Sequence, residues 1–383
     1  MAAPVITTAA PADFANRQQK YFSRQLLKEL LYNLRLGAYG VAKELPANSA
    51  GDTIRFFRPR RAKKGTATSG PRALTEGTPL TPQTGGAAIG YVDIQLKQRG
   101  DSTSISDIVR AIDLFDTLQV NSKTMGADAA LDHDFVCSHA ICSNPAVADA
   151  DGAPNPIPVG QRTMYGSNTS YERFAGVVNT LDSAADFATF AALTNSQAKY
   201  TRAFHIGCVT RLKGVGGKPG VPMINGKYIC LLPPEIMSDL RQEATWIASA
   251  VYNNNRAAGS LDQWVEFELD GCRFVENQSP FIEQGGAYGQ YSPDANENIA
   301  NNIYSAIYLG AEAFGVPKLS GMRAGSDPKA PSLIILDKPD KSDPANQQTV
   351  ISWKSYYQAG LLWTNEDTDK PHVVVARCKS TYV

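Results

Sequence analysis

Two runs of alternating apolar and polar residues flank a long stretch that has no apolar periodicity. The runs are Thr53–Phe57 and Tyr91–Lys97, and each predicts a β-strand. The intervening residues 58–88 are mainly Gly, Pro, Thr, Ala and basic side chains. A connection of this length without its own core is unusual inside a compact domain. We therefore predict that residues 51–100 form an extended structure, which we call the arm.

The predicted length of the arm indicates what it does. Folded back as two legs at the strand rise, it would reach roughly 45 Å. A compact globule of this chain length has a radius of gyration of only about 21 Å. A stretched arm would leave its own body, and its exposed strand edges would need another chain. The arm is therefore predicted to bind copies of the same protein.

Apolar residues at helical spacing predict a helix on each side of the arm. Arg17–Leu36 has Asn16 as a candidate N-cap, Gly37 as a candidate C-cap, and an apolar stripe too wide for a free surface helix. That helix must dock, either on its own core or on a neighbouring subunit, and the sequence favours neither. Leu118–Cys142 predicts a helix close to 40 Å long at the helical rise.

The remaining pattern alternates strands and helices irregularly, which predicts an α+β fold. Strands are predicted at 227–232, 264–269, 272–275, 303–309, 332–336 and 372–378. Helices are predicted at 108–115, 180–193, 198–212, from Pro233 onward and at 311–314, with 350–362 as helix or mixed structure. Asp270-Gly271, between two of the strands, is the strongest short hairpin signal in the chain.

Composition excludes several classes of protein. Net charge is zero over 383 residues, so the surface as a whole is not suited to nucleic acid, although local patches remain open. The six cysteines form no CxxC pair, which favours buried reduced thiols over zinc or disulfides. No apolar run approaches the roughly 20 residues that span a bilayer, and the N-terminus has no secretory pattern. We expect a soluble protein made in a cytosol.

No stretch of the sequence matches a motif for catalysis, for a cofactor or for a metal. Gly214–Gly220 superficially resembles a phosphate loop, but Leu212 and Pro219 stand where Gly and Ser or Thr are required. His133 and His139 are six residues apart, whereas a metal pair on one helix face needs three or four. We therefore expect no enzyme and no cofactor, with an α+β enzyme lacking a motif kept as a minor alternative.

Charge is distributed unevenly along the chain. Residues 52–72 hold one acid and seven bases: Arg55, Arg58, Arg60, Arg61, Lys63, Lys64 and Arg72. Residues 262–297 hold one base and eight acids: Asp262, Glu266, Glu268, Asp270, Glu276, Glu283, Asp294 and Glu297. These could be two unrelated solvated faces, or the basic set could touch DNA. Our preferred hypothesis is inter-subunit contact, with the basic arm of one copy over the acidic surface of its neighbour.

Several stretches, taken in order, resemble the HK97-type major capsid proteins of tailed bacteriophages. PANSAGDTIRFFRPR with ALTEGTPLTP resembles the entry and tip of the family's extended E-loop. GKYICLLPPEIMSDLRQE resembles a strand-to-helix unit of its axial A-domain, and ISWKSYYQAGLLWTNED resembles the C-terminal return to its peripheral P-domain. The resemblance extends over most of the chain from about Asn16, and the loop 143–170 matches nothing in the family.

The resemblance implies an HK97-type division into five parts. These are an N-terminal arm with helix (1–50), the E-loop (51–100), a P-domain with a long spine helix (101–200), an A-domain with returning strands (201–345), and a C-terminal return to the P-domain (346–383). No fused scaffolding segment is expected before a helix that begins near Arg17. Autocatalytic crosslinking through Lys63 or Lys64 is not expected, since nothing marks either lysine for a lowered pKa.

The resemblance also implies function and partners. The chain would self-assemble into hexamers and pentamers of an icosahedral phage head that encloses double-stranded DNA. Portal and scaffolding proteins would be partners, a decoration protein could bind, and no membrane would be involved. Assembly would take place in the cytoplasm of a host bacterium, and the product would be the virion capsid. An encapsulin-like nanocompartment, which shares the fold, is the first alternative.

Overall fold

The computed structural model describes both strands predicted for the arm and most of the other elements of the chain. The described residues are 21, 24–30, 33–45, 51–59, 76–77, 89–112, 117–142, 163–165, 191–192, 194–196, 198–214, 220–243, 265–278, 280–284, 302–319, 332–336, 347–362 and 372–381. The predicted helix at 180–193, apart from 191–192, and most of the loop 143–170 lie outside these residues.

The chain divides into two compact units. Unit 1 comprises Met1–Asp52, Gln95–Cys137 and Val316–Gln358, and unit 2 comprises Thr53–Ile94, Ser138–Gly315 and Ala359–Val383. The described elements of unit 1 are α1 (24–30), a 3-10 turn (Gly37–Tyr39), β1 (Val41–Leu45), β4 (Gln98–Ser106), α2 (Asp107–Ile112), the start of α3 (Thr117–Cys142), β12 (Ser332–Leu336) and β13 (Gln348–Tyr356).

A three-stranded antiparallel sheet of order β12-β13-β4 forms the scaffold of unit 1. Along each strand the side chains point alternately to the two faces of the sheet, so every second residue faces inward. Leu333, Ile351, Trp353 and Ile105 are buried on that inner face. The opposite face carries Ser102, Ser104, Ser352 and the exposed aliphatic residues of β12.

The N-terminal helix α1 docks on α3 of its own chain. Gly126 makes the close approach possible, because a Cβ there would lie 2.6 Å from the carbonyl oxygen of Leu26. Leu26 is fully buried at this contact. The choice that the sequence left open is therefore resolved for residues 24–30 in favour of the chain's own core. Gly37 is not a left-handed C-cap; it lies in the 3-10 turn after the helix.

Unit 2 is built on a larger mixed sheet of order β5-β15-β10-β6-β8-β7, with β9 also paired to β10. Its strands are β5 (Thr163–Tyr165), β6 (Tyr228–Leu232), β7 (Val265–Leu269), β8 (Cys272–Glu276), β9 (Ile282–Gln284), β10 (Asn302–Leu309) and β15 (Val373–Cys378). Every residue of β6, β10 and β15 is buried. Strands covered on both faces read as near-continuous apolar runs, which is how these three appear in the sequence apart from Asn302, Ser305 and Arg377.

Two helices pack on this sheet. The helix predicted at 198–212 is α4 (Arg202–Lys213); Thr201 caps its start by accepting a hydrogen bond from the Phe204 amide, and Cys208 and Leu212 enter the core. In α5 (Pro234–Arg241), proline occupies the first turn, and Ile236, Met237 and Leu240 enter the same core. Unit 2 also holds β2 (Thr53–Pro59), β3 (Ile89–Gln95, which ends at the boundary), β14 (Gly360–Leu361) and the start of β11 (Phe314–Leu319).

The hairpin predicted at Asp270-Gly271 is confirmed. Both residues have positive φ, 51° and 88°, as the tight turn between β7 and β8 requires. The strands of the arm, the long helix and the strands at 227–232, 303–309, 332–336 and 372–378 are also confirmed within two residues. The short helix predicted at 108–115 is α2, of which residues 113–116 lie outside the described chain.

Two predictions about elements need correction, and one strand was not predicted. Residues 311–314 are a turn leading into β11, not a helix. Residues 350–362, predicted as helix or mixed structure, form most of β13 and all of β14, because Ile351 and Trp353 alternate inward along a strand. Residues 101–106, for which no strand was predicted, belong to strand β4, which pairs with β13 at nine positions.

Candidate assembly surface

The described part of the arm is a two-stranded ribbon made by β2 and β3. Arg55 lies beside Asp93, and the carbonyl oxygen of Asp52 accepts a hydrogen bond of 2.8 Å from the amide of Leu96. In each pair the two residue numbers have the same sum, as the register of antiparallel strands requires. The same register places Phe57 opposite Tyr91. Residues 60–75 and 78–88, which would form most of the arm's length, lie outside the described chain.

One face of the ribbon is buried. Ile54 and Phe56 of β2 and Val92 and Ile94 of β3 are at most 7% exposed. Their alternation with exposed neighbours is the pattern that predicted the two strands.

The ribbon's buried face lies on two glycines of its own unit. A Cβ on Gly315 would lie 2.9 Å from the Phe56 ring, and a Cβ on Gly360 would lie 2.8 Å from Ile94. Gly315 and Gly360 are directly paired across β11 and β14. The root of the arm is therefore seated on its own chain, so the expectation that the whole arm leaves its body needs correction at these residues.

The other face of the ribbon is exposed and aromatic. Phe57 is 65% exposed and Tyr91 is 57% exposed. The Arg55 guanidinium lies 4.1 Å from the centre of the Tyr91 ring and donates two hydrogen bonds, of 2.8 and 2.7 Å, to the Asp93 carboxylate. Those hydrogen bonds lower the pKa of Asp93 and raise that of Arg55. Such an ordered surface of rings and a planar cation resembles the centre of a protein interface.

Most of the basic residues predicted for this site lie outside the described chain. Arg58 falls within β2, but the position of its side chain is not described. Arg60, Arg61, Lys63, Lys64 and Arg72 fall between the described ends of the arm. Arg55 is the basic residue whose surroundings are known, and its charge is paired within its own ribbon.

The acidic residues predicted for this surface are largely engaged within unit 2. The carboxylate of Glu268 is paired with Lys227 and, at 2.7 Å, with Arg273. Asp270 accepts from Arg202 at 3.2 Å. Glu276 lies at the end of β8, and the side chain of Glu266 lies outside the described chain.

Glu283 requires a correction. It was assigned to a surface that faces a neighbour, but it is completely buried in β9. Its two carboxylate oxygens accept hydrogen bonds from Arg377 of β15, which is also completely buried. A carboxylate in this position holds the sheet of unit 2 together and is not offered to another copy. No local pattern predicts this pairing, because the two residues are 94 positions apart in the chain.

A contact between a buried carboxylate and the backbone after α1 was also not predicted. The carboxylate of Asp134, on α3, accepts hydrogen bonds from the backbone amides of Arg35 at 2.8 Å and Gly37 at 2.7 Å. Burial raises the pKa of Asp134 to about 6, against the opposing effect of these hydrogen bonds. This carboxylate ties the segment after α1 to the long helix.

The described residues contain no arrangement suited to catalysis by a metal ion. No cluster of three or more His, Cys, Asp or Glu side chains among them could hold a metal. His205 lies in the core of unit 2, where its Nδ1 is 2.8 Å from the Tyr308 hydroxyl, and burial lowers its pKa to about 4. All six cysteines are buried, as predicted. Among the described helices, none is both long and apolar enough to cross a membrane.

Comparison with solved structures identifies the fold. The capsid of Ralstonia phage GP4 aligns with 91% of this chain and 88% of its own, at a TM-score of 0.59 and 15% identity. The capsid asymmetric unit of cyanophage Pam1 aligns over 93% of both chains, at 0.58 and 12%. The head structure of Helicobacter pylori bacteriophage KHP40 aligns over 90% and 88%, at 0.51 and 9%.

The chain therefore has the α+β fold of tailed-phage major capsid proteins, as the resemblance predicted. No family model matches the sequence, and no curated protein matches it.

Proposed function

We propose that this chain is a structural subunit of a phage head, without enzymatic activity. The observation that carries the proposal is the similarity of fold to phage capsid chains over about nine tenths of this chain's length. The subunit assembles with itself into hexamers and pentamers of an icosahedral shell around double-stranded DNA.

The HK97-type parts can be assigned to described elements. The arm is the E-loop, with β2 and β3 as its root. The 26-residue α3 is the spine helix of the P-domain, and the sheet of β4, β12 and β13 is the sheet of that domain. The large sheet of unit 2 with α4 and α5 is the A-domain. The chain from 346 onward returns through β13 to the P-domain, although β15 is a central strand of unit 2.

The arm contributes the contact between copies. The exposed rings of Phe57 and Tyr91 lie on the same face of the ribbon as Arg55, and Arg58, Arg60 and Arg61 follow shortly after Phe57 in the sequence. Opposed charges fix the register of an interface and steer association, and they act only at close range because screening length is about 8 Å at physiological salt. The acidic side of this contact is proposed to include Glu266, Glu268, Asp270 and Glu276.

The proposed partners follow from the role of a head protein. A portal and a separate scaffolding protein act during assembly in the bacterial cytoplasm, DNA contacts the inner face non-specifically, and a decoration protein is a further candidate. The protein then resides in the virion.

The mass of the purified protein tests the proposal. Size-exclusion chromatography with light scattering is expected to give megadalton particles or capsomers. A stable small oligomer under all assembly conditions would favour an enzyme instead. A variant with Arg58, Arg60 and Arg61 changed to Glu tests the role of arm charge separately, because normal shells from it at both low and high salt would exclude charge complementarity while leaving the shell itself intact.

A further inference from the structure

Exposed aliphatic side chains are concentrated at one end of unit 1. Ile108, Val109 and Ile112 lie on α2, and Ile334 and Leu336 lie on β12, all between 37% and 74% exposed. We call these five residues the end patch. They are five of the twelve large hydrophobic residues that are exposed among the described residues, so the clustering is not the ordinary scatter of single apolar side chains.

Strand register places the two parts of the end patch together. Leu336 pairs with Val350, and Val350 pairs with Ser104, so these three side chains share one face of the sheet. Two residues further along β4, on the same face, Ser106 accepts a hydrogen bond of 3.4 Å from the amide of Val109. The amide of Asp107 donates at 2.9 Å to the carbonyl oxygen of Gln347. Helix α2 therefore starts at the end of the sheet where Leu336 is exposed.

A helix such as α2 is not stable on its own. Its described part has six residues, whereas isolated helices shorter than about 12 residues are marginal in water. Short helices are ordinarily held by burying their apolar side chains, but α2 turns Ile108, Val109 and Ile112 outward. An exposed face of this kind is completed when another surface covers it.

Size and charge indicate what covers the end patch. Its area is on the order of a few hundred Å², well below the roughly 800 Å² per partner of a stable two-protein complex. A dedicated partner would find too little surface, whereas a contact repeated by symmetry through a shell needs only a modest area at each site. The sequence of α2 has one acid, Asp107, and one base, Arg110, so two such patches meet without net repulsion.

We infer that the end patch is a contact between copies of this chain, an inference that rests on the proposed shell function. The small side chains Ser102 and Ser104 beside it let a second copy approach the sheet closely. In this arrangement the aliphatic residues of α2 and β12 are buried on assembly. Free subunits expose them.

Crosslinking tests the inference directly. All six native cysteines are buried, so Ile112→Cys introduces an accessible thiol at the most exposed position of the patch. A short bis-maleimide is expected to join two chains through this thiol in assembled particles and not in dissociated subunits. Labelling by a monofunctional maleimide is expected to be at least tenfold slower in particles than in subunits. Met223→Cys, at an exposed position of unit 2, is the matched control and is expected to label equally in both states.

The outcomes separate this inference from the proposed function. If particles form and the thiol at 112 labels freely without crosslinking, the end patch is open or awaits a different protein, and the inference is overturned while the shell function stands. If the unmodified chain forms no particles, the proposed function fails first.

A second variant covers the case in which cysteine disturbs assembly. Ile108→Gln with Ile112→Gln keeps good helix formers at both positions. It is expected to melt at the temperature of the unmodified subunit and to yield at least tenfold fewer particles. Unchanged particle yield from this variant would also overturn the inference.

Discussion

Gly315 and Gly360 lie opposite each other in the paired strands β11 and β14, and together they form the floor on which the arm's root is seated. Phe56 approaches the first glycine and Ile94 approaches the second, one from each strand of the ribbon. A glycine pair is needed because any Cβ would occupy the space of the ring or the aliphatic side chain. The seating of the arm's root on unit 2 therefore depends on two residues that have no side chains.

Adding a methyl group to this floor is expected to displace the arm. Gly315→Ala would place a Cβ 2.9 Å from both Phe56 and Leu362, and such overpacking typically costs about 1–3 kcal/mol. We expect a loss of that size in the free energy of unfolding, measured by urea denaturation, together with fewer assembled particles.

Gly51→Ala is the control, since no heavy atom lies within 4 Å of a Cβ at that position. Its effect on stability should be no more than about 0.5 kcal/mol. The double variant Gly315→Ala with Phe56→Leu should recover part of the loss, because the ring that causes the clash is removed. Equal stability of the Gly315→Ala and Gly51→Ala chains would show that the floor is not close-packed.

Removing one partner of the buried pair Arg377–Glu283 is expected to lower the free energy of unfolding strongly. Arg377→Met leaves the Glu283 carboxylate buried without its guanidinium, which typically costs roughly 3–5 kcal/mol. Changing Glu283→Leu in the same chain removes the stranded charge and should restore most of the stability. Urea denaturation of the two single variants and the double variant measures both effects.

The exposed pair Arg55–Asp93 provides the comparison for this experiment. Its geometry is equally good, with a separation of 2.7 Å, but both side chains are at least 36% exposed. Arg55→Met should therefore change stability little, because water replaces the lost partner. If both Arg→Met variants lost the same stability, burial would not be what distinguishes the two pairs.

Asp134 predicts a pH dependence of stability. Its pKa is about 6 in the folded chain and near 3.8 in an unfolded one, so the folded chain holds the proton up to a higher pH. The contribution to stability is therefore present in full below about pH 4 and is lost as pH rises through about pH 6. Its size, for a shift of about two units, is about 3 kcal/mol.

Comparison with Asp134→Asn isolates this contribution from the other titrating groups. The unfolding free energy of the unmodified subunit, relative to the Asn variant, is expected to fall between pH 4 and pH 7. Denaturation of unassembled subunits at a series of pH values measures this difference. A difference that stayed constant, or rose with pH, would mean that the amides of Arg35 and Gly37 outweigh burial.

The strands that could be predicted from the sequence are buried either on one face or on both faces. Strands β2 and β3 were found because apolar and polar residues alternate along them, and β10 was found because most of its residues are apolar or aromatic. Strand β4 was missed because Gln98–Ser106 is almost entirely polar, with Ile105 as its buried residue. Its conformation comes from nine pairings with β13, more than 240 residues later in the chain.

The candidate surface was predictable in part for the same reason. Sequence marked residues 51–100 as an unusual connection, but the exposed rings of Phe57 and Tyr91 appear only once the ribbon's buried face is known. The pairing of Glu283 with Arg377 depends on sheet order, which local pattern does not encode. Counting acidic residues along the chain therefore does not separate buried carboxylates, which stabilise the core, from carboxylates on the surface.

Electron cryomicroscopy of the purified protein is the most direct test of self-assembly through the arm. We expect closed shells in which the part of the arm beyond its root, residues 60–88, lies against a neighbouring copy. A stable solitary monomer in which those residues pack against their own body would contradict it.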